Sequence, residues 1–78
     1  MTQAKLIESI ADDMRASVAR IESATATTRN HYGRYLQVIS VTAHGDKRVA
    51  RIVAAALLAA GANKRGVLDA LRAYTGES

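Results

Sequence analysis

The chain has 78 residues, 16 of them alanine, and no proline, so we expect residues 1–78 to form one small all-α domain. Its core must be thin, because a chain of this length buries only about 60% of its unfolded surface. The absence of cysteine excludes disulfides and thiolate catalysis, and the lack of a signal-peptide core or a bilayer-length apolar run predicts a cytoplasmic protein without a membrane segment.

Charge is distributed unevenly along the chain, whose formal net charge is +4. Residues 1–25 contain three basic and four acidic side chains, whereas residues 26–72 contain eight basic and only two acidic ones. The second part of the chain is therefore where we expect a polyanionic partner to bind.

The first predicted element is an amphipathic helix from Thr2 to about Ser23. Its apolar side chains recur at helical spacing on one face, opposite charged residues such as Lys5 and Glu8. Because a thin core favours self-association, this face is predicted to form a homodimer interface. The interface residues would be Leu6, Ile7, Ile10, Met14, Val18 and Ile21.

The second element is ambiguous, since threonines, Asn30 and Gly33 weaken helix without forbidding it. We predict a helix over residues 27–42, with a buried stripe formed by Tyr32, Leu36, Ile39 and Ala43. The alternative is a strand over residues 35–42, where β-branched side chains partly alternate with others. Such a strand could pair only with its copy in a symmetric dimer.

Two helices joined by a tight turn are predicted for the C-terminal half. Asp46 should cap a helix that starts at Lys47, and Gly61 should end it in a left-handed conformation. Asn63 should cap the last helix. The apolar faces would be Val49, Ile52, Val53, Ala56, Leu57 and Ala60 on the first helix, and Val67, Ala70, Leu71 and Tyr74 on the second.

This pair has the turn glycine and the small packing residues of a helix-turn-helix, with cations where side chains would reach the major groove of duplex DNA. It predicts a small basic DNA-binding protein, a transcriptional regulator acting as a dimer in a bundle of three or four helices. Asp69 argues against DNA binding by this helix pair, because its carboxylate would face the same groove. The nucleic-acid-binding residues would be Lys47, Arg48, Arg51, Asn63, Lys64, Arg65 and Arg72.

Residues 35–75 also resemble the ribbon-helix-helix repressors, with "YLQVISVT", the helix from Lys47, "GAN" and "KRGVLDALRAY" in the order of that family. The resemblance implies a dimer whose paired strands enter the major groove, with Gln37 and either Ile39 or Val41 pointing outward. The last two would read bases poorly. The helical N-terminus also departs from the short arm of the family.

The alternative function is a non-enzymatic protein-protein interaction module, such as a small inhibitor or adaptor that docks on a larger complex through a helical face. Leu58 favours it, because this residue is predicted on the polar side of its helix, beside Lys47 and Arg51. Many alanines would also let a helix face dock closely.

Catalysis and cofactors have no support in the sequence. Ser40, His44 and Asp46 are the residue types of a hydrolytic triad, but they lie within seven residues at a helix break without an oxyanion-binding loop. His31 and His44 have no cysteine partner and no carboxylate at a ligand-like spacing. We therefore predict no enzyme activity, no metal, no cofactor and no small-molecule substrate.

Overall fold

A computed structural model describes residues 2–24 and 30–77. This part of the chain contains four helices and no strand: α1 (Gln3–Ser23), α2 (Tyr32–Ala43), α3 (Lys47–Ala59) and α4 (Lys64–Thr75). Helix α3 packs against the other three helices, and α2 also packs against α4. The predicted all-helical bundle is confirmed over these residues.

Helix ends lie where short polar residues and glycine predicted them. The side chain of Thr2 accepts a hydrogen bond from the Lys5 amide, and that of Asp46 accepts one from the Arg48 amide at 2.9 Å. Gly61 has a φ of 97° directly after α3, a conformation that glycine adopts without strain. The predicted cap at Asp46 and the glycine turn are therefore confirmed, whereas Thr2, predicted as the first residue of α1, caps that helix instead.

Residues 35–42 are helical, so the strand alternative and the paired-strand arrangement implied by the ribbon-helix-helix resemblance are wrong. Helix α2 begins at Tyr32, not at residue 27, and residues 27–29 of the predicted helix lie outside the described residues. A strand would have placed Gln37 on the same face as Tyr35 and Ile39, which are both fully buried. In the helix Gln37 is exposed, and its amide need not be desolvated.

Two of the four residues predicted for the buried stripe of α2 are buried, and one buried residue was not predicted. Tyr35, Ile39 and Ala43 are buried, whereas Tyr32 and Leu36 are only half-buried. The core also receives residues from the other three helices, and α3 contributes the most because it is surrounded by them. The largest fully buried side chains of the whole core are Tyr35, Ile39, Leu57, Val18, Val53 and Val67.

Helices α3 and α4 form a closely antiparallel hairpin. The Gly45 amide, just before α3, donates a hydrogen bond to the Tyr74 hydroxyl near the end of α4. Arg51 and Glu77 form an ion pair of 2.5 Å at the same end. The end of α4 therefore lies beside the start of α3, and the predicted tight turn joins two antiparallel helices.

Candidate nucleic-acid interface

Six of the seven predicted nucleic-acid-binding residues are cations, and all six are exposed. They are Lys47, Arg48, Arg51, Lys64, Arg65 and Arg72. Helices α3 and α4 turn their apolar faces toward the core, so their cations remain on the outside of the hairpin. The structure therefore leaves every one of these charges accessible to a partner.

The hairpin divides these cations into two clusters. The first basic cluster lies at the start of α3 and consists of Lys47, Arg48 and Arg51. The second basic cluster lies along α4 and consists of Lys64, Arg65 and Arg72, the last two of which both pair with Asp69. The length of α3 separates the starts of the two helices by about 20 Å.

Carboxylates neutralise three of these cations only weakly, whereas Arg51 forms the 2.5 Å ion pair with Glu77. Asp69 lies 3.9 Å from Arg65 and 3.8 Å from Arg72, and Asp46 lies 3.8 Å from Arg48, whose side chain is 89% exposed. Exposed pairs with such separations contribute about 0 to 1 kcal/mol and are screened by salt. An incoming phosphate could therefore replace them at little cost.

Asn63 contributes to the fold rather than projecting a free side chain. Its Oδ1 accepts a hydrogen bond from the Gly66 amide at 3.0 Å, which caps α4 as predicted. Its own backbone amide donates to the Glu22 carboxylate at 3.2 Å. The capping prediction is confirmed. The hydrogen bond from the Gly66 amide occupies the side-chain oxygen of Asn63 that a contact with a DNA base would have used.

The predicted dimer face on α1 is divided between the core and the surface. Val18 and Ile21 are buried within the protomer, and Met14 packs against the same core. Three residues in the first half of α1 lie outside that core cluster: Ile7 and Ile10 are half-buried, and Leu6 is 38% exposed. These three, named here the α1 apolar patch, are the part of the predicted face available to a second chain.

Leu58 does not project from the polar side of α3, as the sequence pattern had suggested. It is partly buried and packs against the core. Helix α3 has neighbours on three sides, so even the face away from its main apolar stripe contacts protein. The prediction of a second contact surface at Leu58 is wrong.

Sequence reasoning missed a polar cluster that joins three parts of the chain. Glu22, at the end of α1, accepts hydrogen bonds from the hydroxyl of Tyr35 on α2 and from the Asn63 amide before α4. Burial raises the pKa of the Tyr35 phenol far above its usual value. The Glu22 carboxylate raises this pKa further as hydrogen-bond acceptor and as negative charge, whereas the Asn63 backbone lowers it.

This cluster stabilises the fold and lacks the features of a catalytic centre. Tyr35 is fully buried, so its hydroxyl cannot meet a substrate from solvent. Within residues 2–24 and 30–77, no three His, Cys, Asp or Glu side chains are grouped so as to hold a metal ion. None of the helices in these ranges is long and apolar enough to cross a membrane.

Comparison with protein-family models, curated proteins and solved structures gives no match for this chain.

Proposed function

We propose that this chain is a small, non-enzymatic DNA-binding protein that acts as a homodimer and regulates transcription. The observation that carries the proposal is the exposure of all six cations on the α3–α4 hairpin. Phosphate contacts supply most of the affinity of such proteins, and exposed lysine and arginine side chains are the groups that make them.

The spacing of the two helix starts suits a duplex. Lys47 and Lys64, at the starts of α3 and α4, are about 20 Å apart, which exceeds the ~12 Å width of the major groove by an amount that flexible lysine and arginine side chains can cover. We therefore propose that the clusters contact phosphates on the two sides of one groove. The antiparallel hairpin then lies over the groove instead of inserting α4 as a recognition helix.

Salt dependence tests this mode of binding. If about four to six cations per protomer contact phosphates, the logarithm of the affinity for duplex DNA should fall with the logarithm of salt concentration at a slope of about −4 to −5 per protomer. The Lys64→Glu/Arg65→Glu variant should lose most of the affinity and reduce the magnitude of the slope by about 2. Fluorescence anisotropy with a labelled duplex measures both.

A matched control is available at the start of α1. Lys5, like Lys64, is an exposed lysine in the first turn of a helix, so Lys5→Glu and Lys64→Glu make the same charge change in similar surroundings. Glutamate suits the helix dipole at both positions, and both variants should keep their stability. Equal losses of DNA affinity in the two variants would show a general charge effect. No affinity of the unmodified protein for any duplex at about 50 mM salt would refute DNA binding.

We also propose that the homodimer forms through the α1 apolar patch. Ile10→Asp should convert the dimer into a folded monomer, because Ile10 lies outside the core of its own protomer. Val18→Asp should instead unfold the chain, since it buries a carboxylate without a partner at a position that is 2% exposed. Light scattering after size exclusion and circular dichroism measure the two outcomes. A monomeric unmodified protein at about 0.1 mM would contradict the dimer.

The second candidate is the protein-protein interaction module, which docks on a larger complex through a helical face. Two features favour it: the α1 apolar patch, and Val41 on α2, whose side chain is 64% exposed. Under this alternative the chain is monomeric, and the patch binds the partner instead of a second copy. A protein without DNA affinity and without self-association would favour it.

A further inference from the structure

A cleft between α1 and α2 lies apart from the two basic clusters. It has a volume of about 190 Å³, and its lining residues are Ser17, Arg20 and Ile21 from α1 and Arg34, Gln37 and Val38 from α2. This volume is below the ~300 Å³ at which pockets for drug-sized ligands begin. The cleft therefore fits a single small polar group.

Each of the two helices brings one arginine to the cleft. Arg20 donates a hydrogen bond to the Ser17 hydroxyl at 3.2 Å, and neither Arg20 nor Arg34 has a carboxylate within 4.0 Å among the described residues. The carboxylate of Glu22 is bound to Tyr35 and Asn63 instead. No described acidic side chain therefore pairs with either of the two positive charges that line the cleft.

We propose that this cleft binds a phosphate group. Arginine matches phosphate because its planar guanidinium donates two parallel hydrogen bonds to neighbouring oxygens. A tetrahedral phosphate presents oxygens toward both helices at once, so Arg20 and Arg34 can each bind it. The Ser17 hydroxyl and the Gln37 amide are further donors at the same cleft, while Ile21 and Val38 supply its apolar surface.

The site does not rest on the DNA-binding proposal, since it shares no residue with the basic clusters. Its phosphate could belong to a small phosphorylated molecule or to the backbone of a nucleic acid. Both sources present the same oxygens, and an experiment with two probes distinguishes them.

Titration with inorganic phosphate, followed by nuclear magnetic resonance of the ¹⁵N-labelled protein at constant ionic strength, tests the site. The amides of residues 17–21 and 34–38 and the Nε–H groups of Arg20 and Arg34 should shift most. Arg20→Gln and Arg34→Gln should each weaken binding by about tenfold or more, because each removes a charged hydrogen-bond donor. Arg15→Gln removes an arginine of α1 that pairs with Asp12 and does not line the cleft, and it should leave phosphate binding unchanged.

The outcomes separate this site from the proposed DNA interface. Equal weakening by Arg15→Gln, equal shifts with acetate, or no shifts at residues 17–21 and 34–38 would each overturn the phosphate site. A 12-nucleotide oligothymidylate that shifts the same amides identifies a nucleic-acid backbone as the source, whereas a response to inorganic phosphate alone identifies a small ligand. The Lys64→Glu/Arg65→Glu variant should titrate with phosphate as the unmodified protein does, even if its duplex binding is lost.

Discussion

Gly66→Ala is expected to destabilise the fold by about 3 kcal/mol or more, although alanine is ordinarily the better helix residue. A Cβ atom at Gly66 would lie 1.9 Å from the carbonyl oxygen of Asn30 and 2.9 Å from its carbonyl carbon. These are backbone atoms just before α2, so the methyl group fits only if the starts of α2 and α4 move apart. That movement would loosen the packing around Val67, which is fully buried next to Gly66.

Gly33 provides the matched control for this substitution. It also lies in the first turn of a helix, but a Cβ atom there would have no neighbour within 4 Å. Gly33→Ala should therefore stabilise the protein by up to about 1 kcal/mol, through the lower conformational entropy of the unfolded chain. Urea denaturation followed by circular dichroism compares both variants with the unmodified protein. A Gly66→Ala variant as stable as Gly33→Ala would show that the two helix starts do not touch.

The features that sequence reasoning predicted well depend on near neighbours in the chain. Asp46 and Asn63 cap helices through hydrogen bonds to amides two or three residues away, and Gly61 needs only its own left-handed conformation. Hydrophobic spacing over 21 residues likewise fixed the extent of α1. Such local rules predict the element order in the described residues without knowledge of the packing.

The features it missed depend on residues far apart in sequence. Helix α2 has a tyrosine at both position 32 and position 35, and local spacing favoured Tyr32 for the core. Burial of Tyr35 depends on an acceptor for its hydroxyl, which Glu22 supplies from 13 residues away. The position of Gly66 in the sequence likewise did not predict its close approach to the Asn30 backbone.

The candidate DNA interface was predictable only in part. An excess of cations in one segment predicts exposed charge, because unpaired lysine and arginine side chains are too costly to bury. The position of the α3 cations relative to those of α4 follows from the antiparallel arrangement of the two helices, which depends on contacts such as that of Arg51 with Glu77. Arg20 was not predicted as a site residue, because it lines a cleft with Arg34 only through the tertiary arrangement of α1 and α2.

The second large effect is expected at alkaline pH, where Tyr35 should make the fold unstable. The folded chain holds the phenolic proton more tightly than the unfolded chain, in which the pKa of tyrosine is about 10. The contribution of the Tyr35 phenol to the free energy of unfolding is therefore complete below pH 10. It is lost as the pH rises from 10 toward the raised pKa of the folded state. Within that range the ratio of unfolded to folded protein should rise by up to about tenfold per pH unit.

Denaturation midpoints measured between pH 8 and pH 12 test this dependence. Tyr35→Phe should remove the part of the alkaline loss of stability that is due to the Tyr35 phenol. At neutral pH the same variant should be less stable by about 1 to 3 kcal/mol, because Glu22 loses a hydrogen-bond donor. Tyr32→Phe is the control, since Tyr32 is only half-buried and its hydroxyl makes no hydrogen bond to another described residue. It should leave the alkaline dependence unchanged. If Tyr35→Phe and the unmodified protein lose stability in parallel above pH 10, the Tyr35 proton is not held by the fold, and another group causes the alkaline unfolding.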